Sequence, residues 1–117
     1  ANIEAKDNVV GDTPLLRGSC NGYLEVVKYL VGMKANIEAK NNVQGWTPLL
    51  VGSRYGRLEI VKCLVGMKAN IEAENKNDEN ALYWAKKAGH NDVVNFLRNN
   101  EEILKIRDEV EKKANTT

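Results

Sequence analysis

The chain has 117 residues, 43% hydrophobic and 28% charged, the length and balance of one globular domain with no room for a second core. Its 17 Lys and Arg against 16 Asp and Glu leave a formal charge of +1, without the clustered positive excess that a nucleic-acid surface needs. No apolar run approaches the roughly 18 residues of a membrane span, and residues 1–4 show neither the basic nor the apolar region of a secretory signal. Cys20 and Cys63 form no CxxC pair, so the expected compartment is the reducing interior of a cell, the cytoplasm with the nucleus left open.

Ala1-Asn2-Ile3-Glu4-Ala5 opens the chain and returns at residues 35–39 and 69–73, a period of 34 that marks a repeat array. Residues 1–34 and 35–68 differ only at positions 7, 10, 12, 17, 20, 21, 23, 26 and 29. Within each unit the elements follow in order. Residues 8–11 and 42–45 read as projecting turns. Thr13 and Thr47 are suited to N-cap a first helix, because a hydroxyl there accepts from an orphan amide. Pro14 and Pro48 follow at the first helical position, where a missing N–H costs nothing. Gly22 and Gly56 stop that helix by permitting a left-handed residue. A second helix is predicted over 24–33 and 58–67, with Leu24, Val27 and Leu30, then Leu58, Val61 and Leu64, on one face.

The third unit is degenerate. Asn80-Ala81-Leu82-Tyr83 replaces Thr-Pro-Leu-Leu, Gly89 keeps the stop, and Val93, Val94, Phe96 and Leu97 keep the apolar face. Lys86, Asn95, Arg98, Asn99 and Asn100 make it polar, as the cap of an array must be, and the array is expected to close near residue 100. Asn100 is then expected to N-cap a separate C-terminal amphipathic helix in residues 101–117. Its apolar stripe is Ile103, Leu104, Ile106 and Val110, and residues 112–117 are expected to fray. This helix either packs on the last repeat as a further cap or stands free for dimerisation or for a partner's groove. At the other end, no polar cap covers the helix faces of residues 13–33. The expectation is a longer array, or self-association through that uncapped N-terminal repeat.

The Thr-Pro-Leu-Leu segments at 13–16 and 47–50 resemble the opening signature of the ankyrin repeat, as do the second-helix starts. These are Gly22-Tyr23-Leu24-Glu25-Val26-Val27 and its counterparts at residues 56–61 and 89–94. There are departures from the family pattern. Leu16, Leu50 and Tyr83 stand at the motif His, Gly18-Ser19 and Gly52-Ser53 replace a small Ala pair, and Lys34 and Lys68 replace a Gly after the second helix. The resemblance implies an all-α ankyrin-repeat solenoid of stacked helix-turn-helix units with projecting turns. Its repeats would be about 1–34, 35–68 and 69–100, and it would bind a protein partner through turn tips and the concave first-helix face.

Six of the differences between the two near-duplicates lie between the turn and the second-helix start: Val10/Gln44, Asp12/Trp46, Arg17/Val51, Cys20/Arg54, Asn21/Tyr55 and Tyr23/Arg57. Unconstrained drift at exposed positions would give such a strip, and so would contact with a partner. The exchanges bring in Trp, Tyr and Arg, which favours the partner. The candidate binding residues are therefore Asp12, Arg17, Asn21, Tyr23, Trp46, Val51, Arg54, Tyr55 and Arg57, with Trp84 and Lys87 from the third unit. Trp46, whose counterpart is the solvated Asp12, need not belong to the core and is expected to lead the contact, the alternative being an indole lying flat over its neighbouring turn. Trp84, aligned with Arg17 and Val51, either faces the partner or packs the cap. Arg54, Tyr55 and Lys87 form an aromatic and basic strip suited to a carboxylate-bearing partner, an inference that Asp12 and Glu74 oppose.

Chemistry is poorly supported. His90 is the single histidine and sits at a repeat-frame position; Cys20 and Cys63 have no evident base or resolving thiol. No phosphate-binding loop or metal-ligand spacing occurs, so no enzymatic activity, cofactor or metal is expected. The competing function is an architectural or regulatory segment of a longer protein, its surface unused.

Overall fold

The computed structural model describes residues 3–6 and 11–115, without the side chains of residues 103, 104, 107, 108, 114 and 115. Residues 8–10 of the first expected turn, with Val10, and the side chains of Ile103 and Leu104 therefore lie outside the described residues. Six helices follow in the described chain: α1 (Pro14–Asn21), α2 (Leu24–Gly32), α3 (Pro48–Arg54), α4 (Leu58–Gly66), α5 (Ala81–Lys87) and α6 (Asn91–Asn115). No strand occurs among the described residues. Each repeat is a helix pair, and the pairs stack so that α1, α3 and α5 form one row while α2, α4 and α6 form another. The result is elongated, 52 × 31 × 26 Å.

The local signals act as their chemistry requires. Thr13 Oγ1 accepts from the Leu16 amide at 3.3 Å and Thr47 Oγ1 from the Leu50 amide at 3.2 Å. Asn80 takes over the same cap in the third unit, accepting from the Tyr83 amide at 2.9 Å. The sequence change there preserves an acceptor, so the helix start survives. Leu15, Leu16, Leu49 and Leu50 of the first helices meet Val27, Leu30, Val61, Leu64, Val93 and Leu97 of the second helices in one continuous core. Lys34 and Lys68 take up the left-handed turn after α2 and α4 with φ of 64° and 69°, a conformation that costs a side-chain-bearing residue more than glycine.

A polar ladder fixes the stacking distance and explains why the Ala-Asn-Ile-Glu-Ala-Lys segment is identical in the first two units. The Asn36 amide donates to Glu4 Oε1 at 3.1 Å, and the Asn70 amide to Glu38 Oε1 at 3.0 Å. Lys6 Nζ reaches the Lys40 carbonyl at 3.2 Å and Lys40 Nζ the Glu74 carbonyl at 3.3 Å. A side chain that must bond the next copy of its own segment cannot change without loosening the interface.

The C-terminal region differs from expectation. No separate helix begins at Asn100, because α6 runs unbroken from Asn91 to Asn115, which takes in residues 112–115 of the stretch expected to fray. Between Arg98 and Glu102 there is no Gly or Pro to end it. Asn100 sits inside the helix and donates from Nδ2 to the Phe96 carbonyl at 2.9 Å, so it does not cap. Ile106 and Val110 are exposed, so this described part of the stripe does not pack on the last repeat. Among the described residues no helix is long and apolar enough to cross a membrane.

Candidate functional site

Arg54 and Lys87 occupy the same register position in consecutive repeats, in the last turns of α3 and α5. Aromatic rings gather around both. The Arg54 guanidinium carbon lies 5.1 Å from the ring centre of Trp46, 5.3 Å from that of Tyr55 and 5.0 Å from that of Trp84. Lys87 Nζ is 5.0 Å from the Trp84 ring centre and 5.6 Å from that of Tyr83. The rings touch one another: Trp46 and Trp84 centres are 5.0 Å apart, and Tyr83 meets Trp84 edge-on at 5.6 Å. Cations over ring faces are held by the ring quadrupoles, at about 0.5–1 kcal/mol per contact where water has access. Several contacts on one guanidinium restrict its motion, and its N–H groups make no hydrogen bond among the described residues.

The turn before α3 places Trp46. Asn41 Oδ1 accepts from the amides of Gln44 at 3.3 Å, Gly45 at 3.0 Å and Trp46 at 3.1 Å, closing the loop around one side-chain oxygen. Gln44 Oε1 then accepts from Trp46 Nε1 at 2.9 Å. With its N–H satisfied and Trp84 against its face, the indole is 5% exposed. Trp46, which need not have belonged to the core, is therefore part of it. Asp12 is no guide to it, because Trp46 is met from the next repeat by Trp84, whereas the residue in the same register one repeat after Asp12 is Val51. Val51 is also buried, since α3 is flanked by α1 on one side and α5 on the other. Both side chains lie beneath the surface of the first-helix face.

Arg57 is likewise a frame residue in this fold. Its Nε and Nη2 donate to the Cys20 carbonyl at 3.2 and 3.1 Å, capping the end of α1. His90, in the same column, has Nε2 3.0 Å from the Arg54 carbonyl, which can only accept. Glycine is needed beneath both caps. A Cβ on Gly22 would lie 3.1 Å from the Arg57 guanidinium, and one on Gly56 would lie 2.6 Å from His90 Nδ1.

The remaining candidates divide between two places. Asp12, Arg54 and Tyr55 open onto a pocket of about 160 Å³ whose wall also includes Asn41, Cys20 and Trp46. Arg17 and Tyr23 line a separate groove of about 470 Å³ with Lys6, Pro14 and Val26 at the outer face of the first repeat, and Asp12 lies on the wall of both. Asn21 is exposed at the end of α1 and lines neither. Trp84 is half-buried, and its indole N–H has no acceptor among the described residues. Cys20 and Cys63 are half-buried free thiols. Tyr83, Asn41 and Gln44 belong to the cluster without being among the predicted site residues. Gln44 carries a sequence signal, because Val10/Gln44 and Asp12/Trp46 change together two residues apart.

Stacked helix pairs joined by turns define a helical-repeat protein. Comparison with known families matches residues 15–108 to Ankyrin repeats (3 copies), and the chain belongs to the ankyrin-repeat family. Ankyrin repeats are generally protein–protein interaction modules. The match continues beyond residue 100, into the part of α6 that extends the last repeat. No curated protein matches the chain.

Proposed function

We propose that the chain is a non-catalytic module that binds a partner protein across the first-helix face. Arg54, Tyr55, Trp84 and Lys87 are its principal contacts, and Asp12 stands at the edge. The observation that carries this reading is the single cluster formed by exchanged residues. Gln44, Trp46, Arg54 and Tyr55 all differ from their counterparts in the first repeat, and all join one another through the indole hydrogen bond and the guanidinium stack. Independent drift would scatter such changes. Arg and aromatic side chains at a preorganised centre are also the types that dominate binding energy.

The test is affinity capture with the whole chain against the combined variant Arg54→Gln and Tyr55→Ala, both at exposed positions. The wild type should retain a discrete partner that the variant loses while melting at the same temperature. Equal retention would contradict the reading. Trp46→Ala is unsuitable, because truncating a buried indole would confound loss of binding with loss of fold.

A second reading concerns the groove at the first repeat. Tyr23, Val26 and Tyr29 are 58%, 46% and 64% exposed, whereas Ile60 and Val93, in register with Val26, are 2% and 0% exposed against the preceding repeat. This stripe supports self-association of two copies through their first repeats. Sedimentation should show concentration-dependent dimers that Val26→Glu abolishes; a monomer at every concentration would rule the reading out.

A further inference from the structure

We infer that the first-helix face selects an acidic polypeptide segment, one with carboxylates at alternate positions of an extended chain that engage Arg54 and Lys87 together. This inference rests on the proposed binding role of that face and specifies the chemistry of the partner.

Charge complementarity carries it. The chain has 16 acidic residues, yet among the described residues neither Arg54 nor Lys87 has a carboxylate at ion-pairing distance. By contrast, Lys28 and Lys62 on the second helices each pair with a Glu three residues before them. Asp12 lines the same pocket as Arg54 without pairing to it. The two cations are nevertheless held by their aromatic contacts, and among the described residues Lys87 has only a 3.4 Å contact to the Tyr83 hydroxyl besides. A guanidinium whose faces are stacked and whose N–H edge is unused is prepared for the bidentate, planar hydrogen bonding that a carboxylate supplies.

Spacing fixes the pattern. Both cations lie 5.0 Å from the same Trp84 ring centre, so they are no more than twice that distance apart. In an extended chain, side chains at alternate positions point the same way at about 7 Å, within the reach of two flexible ends. Asp12 repels an acid at the opposite end of the pocket, which places the acidic stretch over α3 and α5. A carboxylate is favoured over a phosphate because each cation here is one isolated side chain.

The chain reports on this site without a label, since its two tryptophans, Trp46 and Trp84, are both in the cluster. An end-blocked peptide of alternating serine and glutamate is titrated into the whole protein and followed by tryptophan fluorescence. Its glutamine, lysine and phosphoserine counterparts are run beside it. The glutamate peptide should give a saturable change that salt weakens and the glutamine peptide fails to produce. Arg54→Gln and Lys87→Gln, tested singly, should each weaken binding about tenfold, the scale of a lost charge-assisted hydrogen bond. No saturable change with glutamate, or an equal change with glutamine, would overturn the inference. Saturable binding of the lysine peptide alone would overturn the acidic assignment while sparing the binding role of the face. Binding of the phosphoserine peptide alone would overturn the choice of carboxylate.

Discussion

The Arg57 guanidinium donates to the Cys20 carbonyl one repeat earlier, and His90 makes the equivalent bond to the Arg54 carbonyl one repeat later. Each bond satisfies a carbonyl at the end of a first helix and ties neighbouring repeats together. Arg57→Ala should therefore lower stability by about 1–3 kcal/mol, the range for a buried or charged hydrogen bond lost with its acceptor left behind. Arg57→His should recover most of that loss, because His already serves at position 90. Urea denaturation followed by helical circular dichroism measures both.

The Trp46 indole depends on Gln44 for its N–H and on Trp84 for its face. Trp46→Ala is expected to cost about 3–5 kcal/mol, as for other buried aromatics truncated to Ala. Gln44→Ala removes only the hydrogen bond at an exposed turn, where water can replace it in part, and should cost about 1 kcal/mol. Thermal melts of the two variants check the order. A Gln44 variant as unstable as the Trp46 variant would contradict this assignment of roles.

Lys34 and Lys68 adopt positive φ where the family pattern has glycine. The left-handed conformation costs an L-residue about 1–2 kcal/mol, while glycine gives back roughly 0.5–1 kcal/mol by loosening the unfolded chain. The conformational gain is larger, so Lys68→Gly should stabilise by about 0.5–1 kcal/mol. Its melting temperature should rise by a few degrees.

Ser53 is fully buried, and its hydroxyl has no hydrogen-bond partner among the described residues. Burying an unpaired hydroxyl is unfavourable, and alanine fits the same space. Ser53→Ala should raise stability by about 1 kcal/mol in the same melt, and a drop of that size would reveal a partner for the hydroxyl.

The frame is legible in the sequence wherever a residue type has one local job. Thr13 and Thr47 as caps, Gly22 and Gly56 as stops, and the leucine and valine periodicity of α1 to α4 all depend on neighbours within a few positions. The burial of Trp46 is not local, because it depends on Trp84 in another repeat and on the Gln44 amide. Arg57 is obscured by its counterpart Tyr23, which is exposed; His90 in the same column carries the frame signal. Asn100 has the chemistry of a cap, but a cap needs a break before it, and no residue between Leu97 and Asn100 provides one. The row of cations at 54 and 87 is visible in the sequence, while the rings that hold it become apparent only once α3 and α5 are side by side.

A partner protein lying across the first-helix face is within reach of site-specific photocrosslinking. A photoreactive side chain is placed at the exposed Tyr55 in one protein and at the exposed Lys62 of α4 in another. Position 55 should yield a discrete crosslinked partner that is absent from position 62 and lost when Arg54→Gln is added. Equal crosslinking from both positions, or a partner captured only from position 62, would contradict it.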